Sequence, residues 1–270
     1  MNRPDKLSLV SYLAPNLFWF YSEVGAYLGR VLGIETQLEQ SQCDPLADPI
    51  LQHDQLDLAF ICGLPFVQYQ RVTPTQLEAL VAPVMQSERY QNRPVYFSEV
   101  IVKADSNFKT FNDLLGKTLC FNDPGSNSGY NLLRHRLIQG KYPSRFFNKV
   151  IQSGSHQRSI QLVIEGLADC SAIDSTVLEE ELRNSPELAK CLRVADSIGP
   201  CPMPPVVVAQ HLGPELIDCL QSLLLQPDPQ LQAAMVKAQI RRYDLVQSQD
   251  YEPLGDLYDA ALEAGYTTIG

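Results

Sequence analysis

Phe121-Asn122-Asp123-Pro124-Gly125-Ser126-Asn127-Ser128-Gly129-Tyr130 is the stretch on which the reading of this chain turns. A β-rich run over 118–121 ends in a Pro-Gly turn, two serines flank an amide, and a helical pattern begins over 128–139. The first N–H groups of a helix lack intrahelical partners, and the helix dipole favours an anion there. The hydroxyls of Ser126 and Ser128 converge on the same point, and Gly125 and Gly129 permit close backbone approach. The pattern therefore suits a tetrahedral or carboxylate anion. It is also that of an ordinary strand–turn–helix with a serine cap, and spacing alone leaves both readings open. No Gly-Lys-Ser/Thr follows, so it is not a Walker loop.

A second strand-to-helix turn, Ser153-Gly154-Ser155-His156, follows the run 150–153. Two such turns in one α/β block lie at the same sheet edge, where open α/β sheets bind ligands. That coincidence favours the anion site over a pair of plain caps.

Outward from these turns, short β-rich runs alternate with helical ones. Strands are expected over 7–13, 34–39, 56–62, 80–84, 96–103, 118–121, 150–153, 170–174, 192–195 and 205–209. Helices are expected over 16–32, 110–115, 128–139, 156–168, 175–183, 214–225, 229–238 and 256–264. The alternation predicts an α/β fold with mainly parallel sheets. Breaks at 86–94 and at the proline-rich 198–205, read as a stiff connector, flank one α/β block. They predict a first lobe of 1–90 plus 205–270 and an inserted second lobe of 91–204 that carries the anion-binding turns.

The chain has 270 residues, of which 45% are hydrophobic and 19% charged, enough to bury a full core. The net charge of −10 argues against a general nucleic-acid or anionic-membrane binder. No apolar run reaches the roughly 18–20 residues of a membrane span. The seven cysteines are odd in number and form no CxxC pair, so reduced core thiols are expected, with no disulfide framework. Cys and His do not cluster at ligand spacing, so neither a metal nor a cofactor is expected. The first residues lack a signal-peptide pattern, so the chain as given reads as cytoplasmic; a removed leader would make it periplasmic.

At these residues the chain resembles the phosphonate-binding family of periplasmic-type solute receptors, which serve phosphate, phosphite and phosphonate ABC importers. The matching stretches are Tyr96 to Ser106, Asp113-Leu114-Leu115-Gly116-Lys117, Asp123 to Gly129, Ser153 to His156 and Leu167-Ala168-Asp169. Leu56-Asp57-Leu58-Ala59-Phe60 with Gly63 and Pro65 extends the likeness, which covers about 7–210. The resemblance implies a two-lobed class II binding-protein fold with a ligand cleft between lobes joined by two hinge strands. It implies oxyanion ligands at Ser126, Asn127, Ser128, His156 and Tyr96. Where family members that take aminoalkyl phosphonates carry ammonium-binding acids, this chain has Thr176 and Pro204, with Asp174 close by. A family tyrosine after the second strand is replaced by Asp44-Pro45.

The resemblance thus implies a small-oxyanion binder, partnered by an ABC permease or acting as a cytosolic homologue. The alternatives are an enzyme or a ligand sensor on the same fold with a small carboxylate ligand. Tyr12 lines the cleft or packs. Phe18, Trp19 and Tyr21 read as core or cleft wall, and His53, His135 and His211 as surface residues. Glu179-Glu180-Glu181 reads as a solvated face, and Arg134 lies too far along its helix to reach the anion.

Overall fold

The computed structural model describes residues 4–143 and 145–269. In chain order the elements are β1 (Lys6–Ser11), α1 (Phe18–Leu32), β2 (Glu35–Gln40), α2 (Pro49–Gln52), β3 (Leu58–Phe60), α3 (Gly63–Val72), β4 (Leu77–Met85) and β5 (Val95–Lys103). There follow β6 (Thr118–Phe121), α4 (Leu132–Gln139), β7 (Lys149–Gln152), α5 (His156–Ile164), β8 (Cys170–Asp174), α6 (Ser175–Asn184) and α7 (Leu188–Cys191). The chain ends with β9 (Leu192–Pro202), β10 (Val206–Ala209), α8 (Pro214–Leu225), α9 (Pro229–Lys237), β11 (Ile240–Leu245) and α10 (Glu252–Glu263).

These elements form two compact units: Met1–Val95 with Pro202–Glu252, and Tyr96–Cys201 with Pro253–Gly270. The first holds a six-stranded sheet in the order β11-β4-β10-β3-β1-β2. Phe20, Tyr21, Val24, Tyr27 and Leu28 form the buried stripe of α1, and Gly33 ends that helix at φ 70°, a left-handed angle glycine adopts without strain. The helix packs on β1, where Leu7 and Leu9 are fully buried.

The second unit holds a five-stranded sheet in the order β7-β6-β8-β5-β9. β6 runs parallel to both β7 and β8, and β5 runs antiparallel to β8, with Ser98 opposite Asp174. The carboxyl ends of β6, β7 and β8 and the start of β5 therefore share one sheet edge. Beneath it lies a core that includes Val100, Phe111, Leu119, Phe121, Tyr130, Leu133, Phe146 and Ala172.

Both sheets are mixed, which corrects the expectation of mainly parallel strands. β10 and β11 pair antiparallel to their neighbours in the first unit, as β5 does in the second. Of the elements that differ from the sequence expectation, three do so for identifiable reasons. β9 runs on to Pro202 through the stretch read as a connector; it is an edge strand, where a proline need not donate to the ladder. β11 was not expected because Arg241, Arg242 and Asp244 interrupt its alternation, but an exposed edge tolerates such charges. α3 was hidden by Pro65, which sits in its first turn where no intrahelical N–H bond is lost.

The C-terminus also departs from the expected division. Pro253–Gly270 clusters with the second unit, not the first. The cause is packing: Ile269 is buried in the second unit's core, its N–H donates to the Tyr130 hydroxyl at 2.9 Å, and the Tyr266 hydroxyl donates to the Tyr142 carbonyl at 2.8 Å. The chain therefore passes between units three times, at 95/96, 201/202 and 252/253.

Candidate functional site

The residues that leave β6 make a compact loop. Ser126 caps the helix, its Oγ accepting from the Gly129 N–H at 3.0 Å, and the first turn, Asn127–Asn131, is a π-turn that leads into α4. A Cβ at Gly129 would stand 1.8 Å from Asn122 Oδ1, so a side chain here would have to displace the Asn122 amide. The loop after β7 is built alike. Ser155 caps α5 by accepting from the Arg158 N–H at 3.1 Å, and Gly154 takes a φ of 89°. The two loops are tied together: the Ser153 and Gly154 N–H groups donate to the carbonyls of Phe121 and Asn122.

This framework brings four of the expected ligand residues into two bonded pairs. Ser128 Oγ lies 3.1 Å from His156 Nε2, and Asn127 Nδ2 donates to the Tyr96 hydroxyl at 2.7 Å. Ser98 Oγ donates to the Ser128 carbonyl at 2.6 Å, pinning the turn to β5. Ser126, Asn127, Ser128, His156 and Tyr96 are all buried. Burial pushes His156 down to about 4, so the imidazole is neutral at pH 7. Its Nδ1 is buried without a hydrogen-bond partner, as is Asn122 Oδ1. A neutral imidazole has one donor and one acceptor, so it can meet either a hydroxyl or an oxyanion. In Ser–His hydrolases a carboxylate orients the second ring nitrogen; here Nδ1 meets none.

Asp174 and Thr176 stand at the same edge, at the end of β8. Asp174 caps α6: its Oδ1 accepts from the Thr176 N–H at 2.8 Å and from Thr176 Oγ1 at 2.7 Å. Burial raises the Asp174 carboxyl to about 6, against the bonds from Thr176 and Val177. The Thr176 hydroxyl is thus already committed as a donor.

Tyr12 belongs to the first unit, apart from this cluster by chain division. Its hydroxyl is buried without a partner at hydrogen-bonding geometry, and burial together with the Asp48 carboxylate raises its pKa. Asp44, at the place of the missing tyrosine, caps a short turn by accepting from the Leu46 N–H. One surface reading is corrected. Glu180 is buried, bonded to Arg183 and to Asn184, so the triple-glutamate run is not wholly solvated. Arg134 is buried as well and belongs to the site's hydrogen-bond network through Asn131. A helical spacing of seven residues shows distance from the turn but not a side-chain relay, so Asn131 gave no signal. Among the described residues no group of three or more His, Cys, Asp or Glu side chains is placed to hold a metal ion.

The fold, two α/β units with mixed sheets, is that of periplasmic-type binding proteins, and the comparisons agree. The sequence pattern of a family described as "ABC transporter, phosphonate, periplasmic substrate-binding protein" matches residues 10–251, and the chain belongs to that family. A probable ABC transporter phosphite binding protein, PhnD1, of Prochlorococcus marinus (strain MIT 9301) is 28% identical over 134 residues. That stretch is 49% of this chain and 44% of the relative, so the match spans less than half of either.

Among solved structures, a binding-protein component of an ABC phosphonate transporter from Pseudomonas aeruginosa superposes with a TM-score of 0.82 at 16% identity. The match covers 96% of this chain and 87% of that one. PhnD1 from Prochlorococcus marinus in complex with methylphosphonate superposes with a TM-score of 0.80 at 20% identity, covering 96% and 98%. At these identities the superpositions establish the fold alone. No helix of the described residues is long and apolar enough to cross a membrane.

Proposed function

We propose that this chain binds a compact phosphorus oxyanion, such as phosphate, phosphite or a simple phosphonate, as the solute-binding component of an ABC-type importer. The observation that carries the reading is the convergence of two bonded pairs, Ser128–His156 and Asn127–Tyr96, at one sheet edge beside the cap of α4. Asn127, Tyr96 and the Ser128–His156 pair, which keeps one donor beyond its own bond, supply neutral donors, and bonds from such donors to a charged acceptor contribute about 1.5–3 kcal/mol each, while Ser126 shapes the turn that carries them. Tyr12 stays a further proposed ligand residue in this reading.

The ligand lacks an amine in this reading. An ammonium group taken from water needs a carboxylate or several acceptors, or it costs several kcal/mol. Thr176 donates its hydroxyl to Asp174, Pro204 has no side-chain acceptor, and Asp174 already spends Oδ1 on its helix cap. Competitive calorimetry with methylphosphonate, phosphite, phosphate, sulfate and 2-aminoethylphosphonate tests this. Methylphosphonate should bind at least tenfold tighter than the amine compound, about 1.4 kcal/mol. Tighter binding of 2-aminoethylphosphonate would overturn the amine-free reading, and binding of sulfate alone would overturn the phosphorus one.

A sensor that keeps the ligand site without a permease is the second reading. All seven cysteines are free, the pattern of a reducing compartment, whereas the family is described as periplasmic. Cell fractionation separates the two: recovery with periplasmic markers supports delivery to a permease, and recovery with the cytosol supports the sensor.

A further inference from the structure

Arg134 heads the fully buried side chains by volume, at 1% exposure. One of its terminal nitrogens donates to Asn131 Oδ1 at 3.1 Å and the other to the Tyr266 carbonyl at 3.3 Å. Its guanidinium lies 4.7 Å from the centre of the Tyr258 ring. From Asn131 the bonds run on: Nδ2 donates to Asn127 Oδ1 at 3.0 Å, and Asn127 Nδ2 donates to the Tyr96 hydroxyl at 2.7 Å.

The direction of this chain of bonds follows from chemistry. A guanidinium has donors and no acceptor. The Asn131 atom that meets it must therefore be the oxygen, which turns the Asn131 NH2 toward Asn127. That group must meet the Asn127 oxygen, which turns the Asn127 NH2 toward Tyr96. We propose that Arg134, acting through Asn131, is a positioning residue that fixes which end of the Asn127 amide faces Tyr96 and the ligand. With the NH2 end outward, Asn127 is a donor and suits an oxyanion. Reversed, it would present a carbonyl oxygen, which repels one. The relay also makes Pro253–Gly270 part of the site's support, since that segment supplies the Tyr266 carbonyl and the Tyr258 ring that hold Arg134. The inference rests on the reading that Asn127 lies at the ligand end of the site.

Asn131→Asp tests it. The substituted carboxylate still accepts from Arg134 but cannot donate to Asn127, so the Asn127 amide reverses to donate to it. By calorimetry with methylphosphonate, Asn131→Asp should weaken binding at least tenfold while its melting temperature equals or exceeds that of the wild type. Adding Asn131→Asp to Asn127→Ala should weaken binding no further. Unchanged affinity in Asn131→Asp, beside a weakened Asn127→Ala, would overturn the relay and leave the site reading standing. Unchanged affinity in Asn127→Ala would instead overturn the placement of Asn127 at the ligand.

A second measurement needs neither variant nor ligand. In NMR spectra of the wild type the Asn127 side-chain NH2 protons should show cross-relaxation to the Tyr96 ring protons beside the hydroxyl. Cross-relaxation to Asn131 in its place would overturn the assigned direction.

Discussion

At the scale of single residues, Ser126 and Ser128 look alike in sequence and do different work in the structure. Ser126 spends its oxygen on the Gly129 N–H, so it shapes the turn; Ser128 faces His156. Ser126→Ala should therefore cost about 1 kcal/mol of stability, as the loss of a helix cap does. Ser128→Ala leaves the buried His156 Nε2 without its hydroxyl partner, so it should cost about 1–3 kcal/mol of stability and also weaken methylphosphonate binding about tenfold or more. Urea titration and calorimetry on the two single variants separate these effects. Equal affinity losses in the two variants would refute the division of labour. Ser126, Asn127, Ser128 and His156 were legible because turns at strand ends announce themselves by Gly, Pro and Ser. Asn131 and Arg134 were not, since a buried relay inside a helix has no spacing signature.

At the scale of elements, the starts of α5 and α6 carry opposite pH sensitivities. His156, at the first position of α5, is lowered from 6.5 to about 4 by burial. Between those values the unfolded chain takes up a proton that the folded one refuses, so stability is lost on acidification, by about 3 kcal/mol over the full window. Asp174, the cap of α6, is raised from 3.8 to about 6, again by burial. Between those values the folded chain keeps a proton that the unfolded one has released, so stability is lost as pH rises, by a similar amount of about 3 kcal/mol. The two trends offset each other between about pH 4 and 6. Asp174→Asn, which retains a capping oxygen, should unmask the acid lability of His156. Relative to the wild type, its stability should rise by about 2–3 kcal/mol from pH 4 to 6.5 in urea titrations. His156→Gln should show the opposite relative slope. Parallel pH profiles for wild type and both variants would show that neither group is perturbed.

At the scale of the whole molecule, the C-terminal segment is a structural part of the second unit. Ile269 fills its core, and Tyr266 bonds to Arg134 and to Tyr142. Ile269→Ala should cost about 2–5 kcal/mol, the range for emptying a buried aliphatic site. In calorimetric scans the loss should fall on the transition that excess methylphosphonate shifts upward, because the second unit carries the oxyanion turns. A loss confined to a ligand-insensitive transition would contradict the assignment of Pro253–Gly270 to the second unit.

The sequence alone determined what depends on local chemistry. The α/β alternation, the two strand-to-helix turns, most strand and helix positions, the family likeness and the cluster from Ser126 to His156 all follow from short-range pattern and turn-forming residues. Tertiary structure alone decided what depends on neighbours distant in sequence. The antiparallel pairing of β5, β10 and β11 is a choice of partner that a strand's own pattern does not encode. The placing of Pro253–Gly270 depends on which unit offers Ile269 a core, and the direction of the Arg134–Asn131–Asn127 bonds depends on a guanidinium buried where water cannot replace its partners.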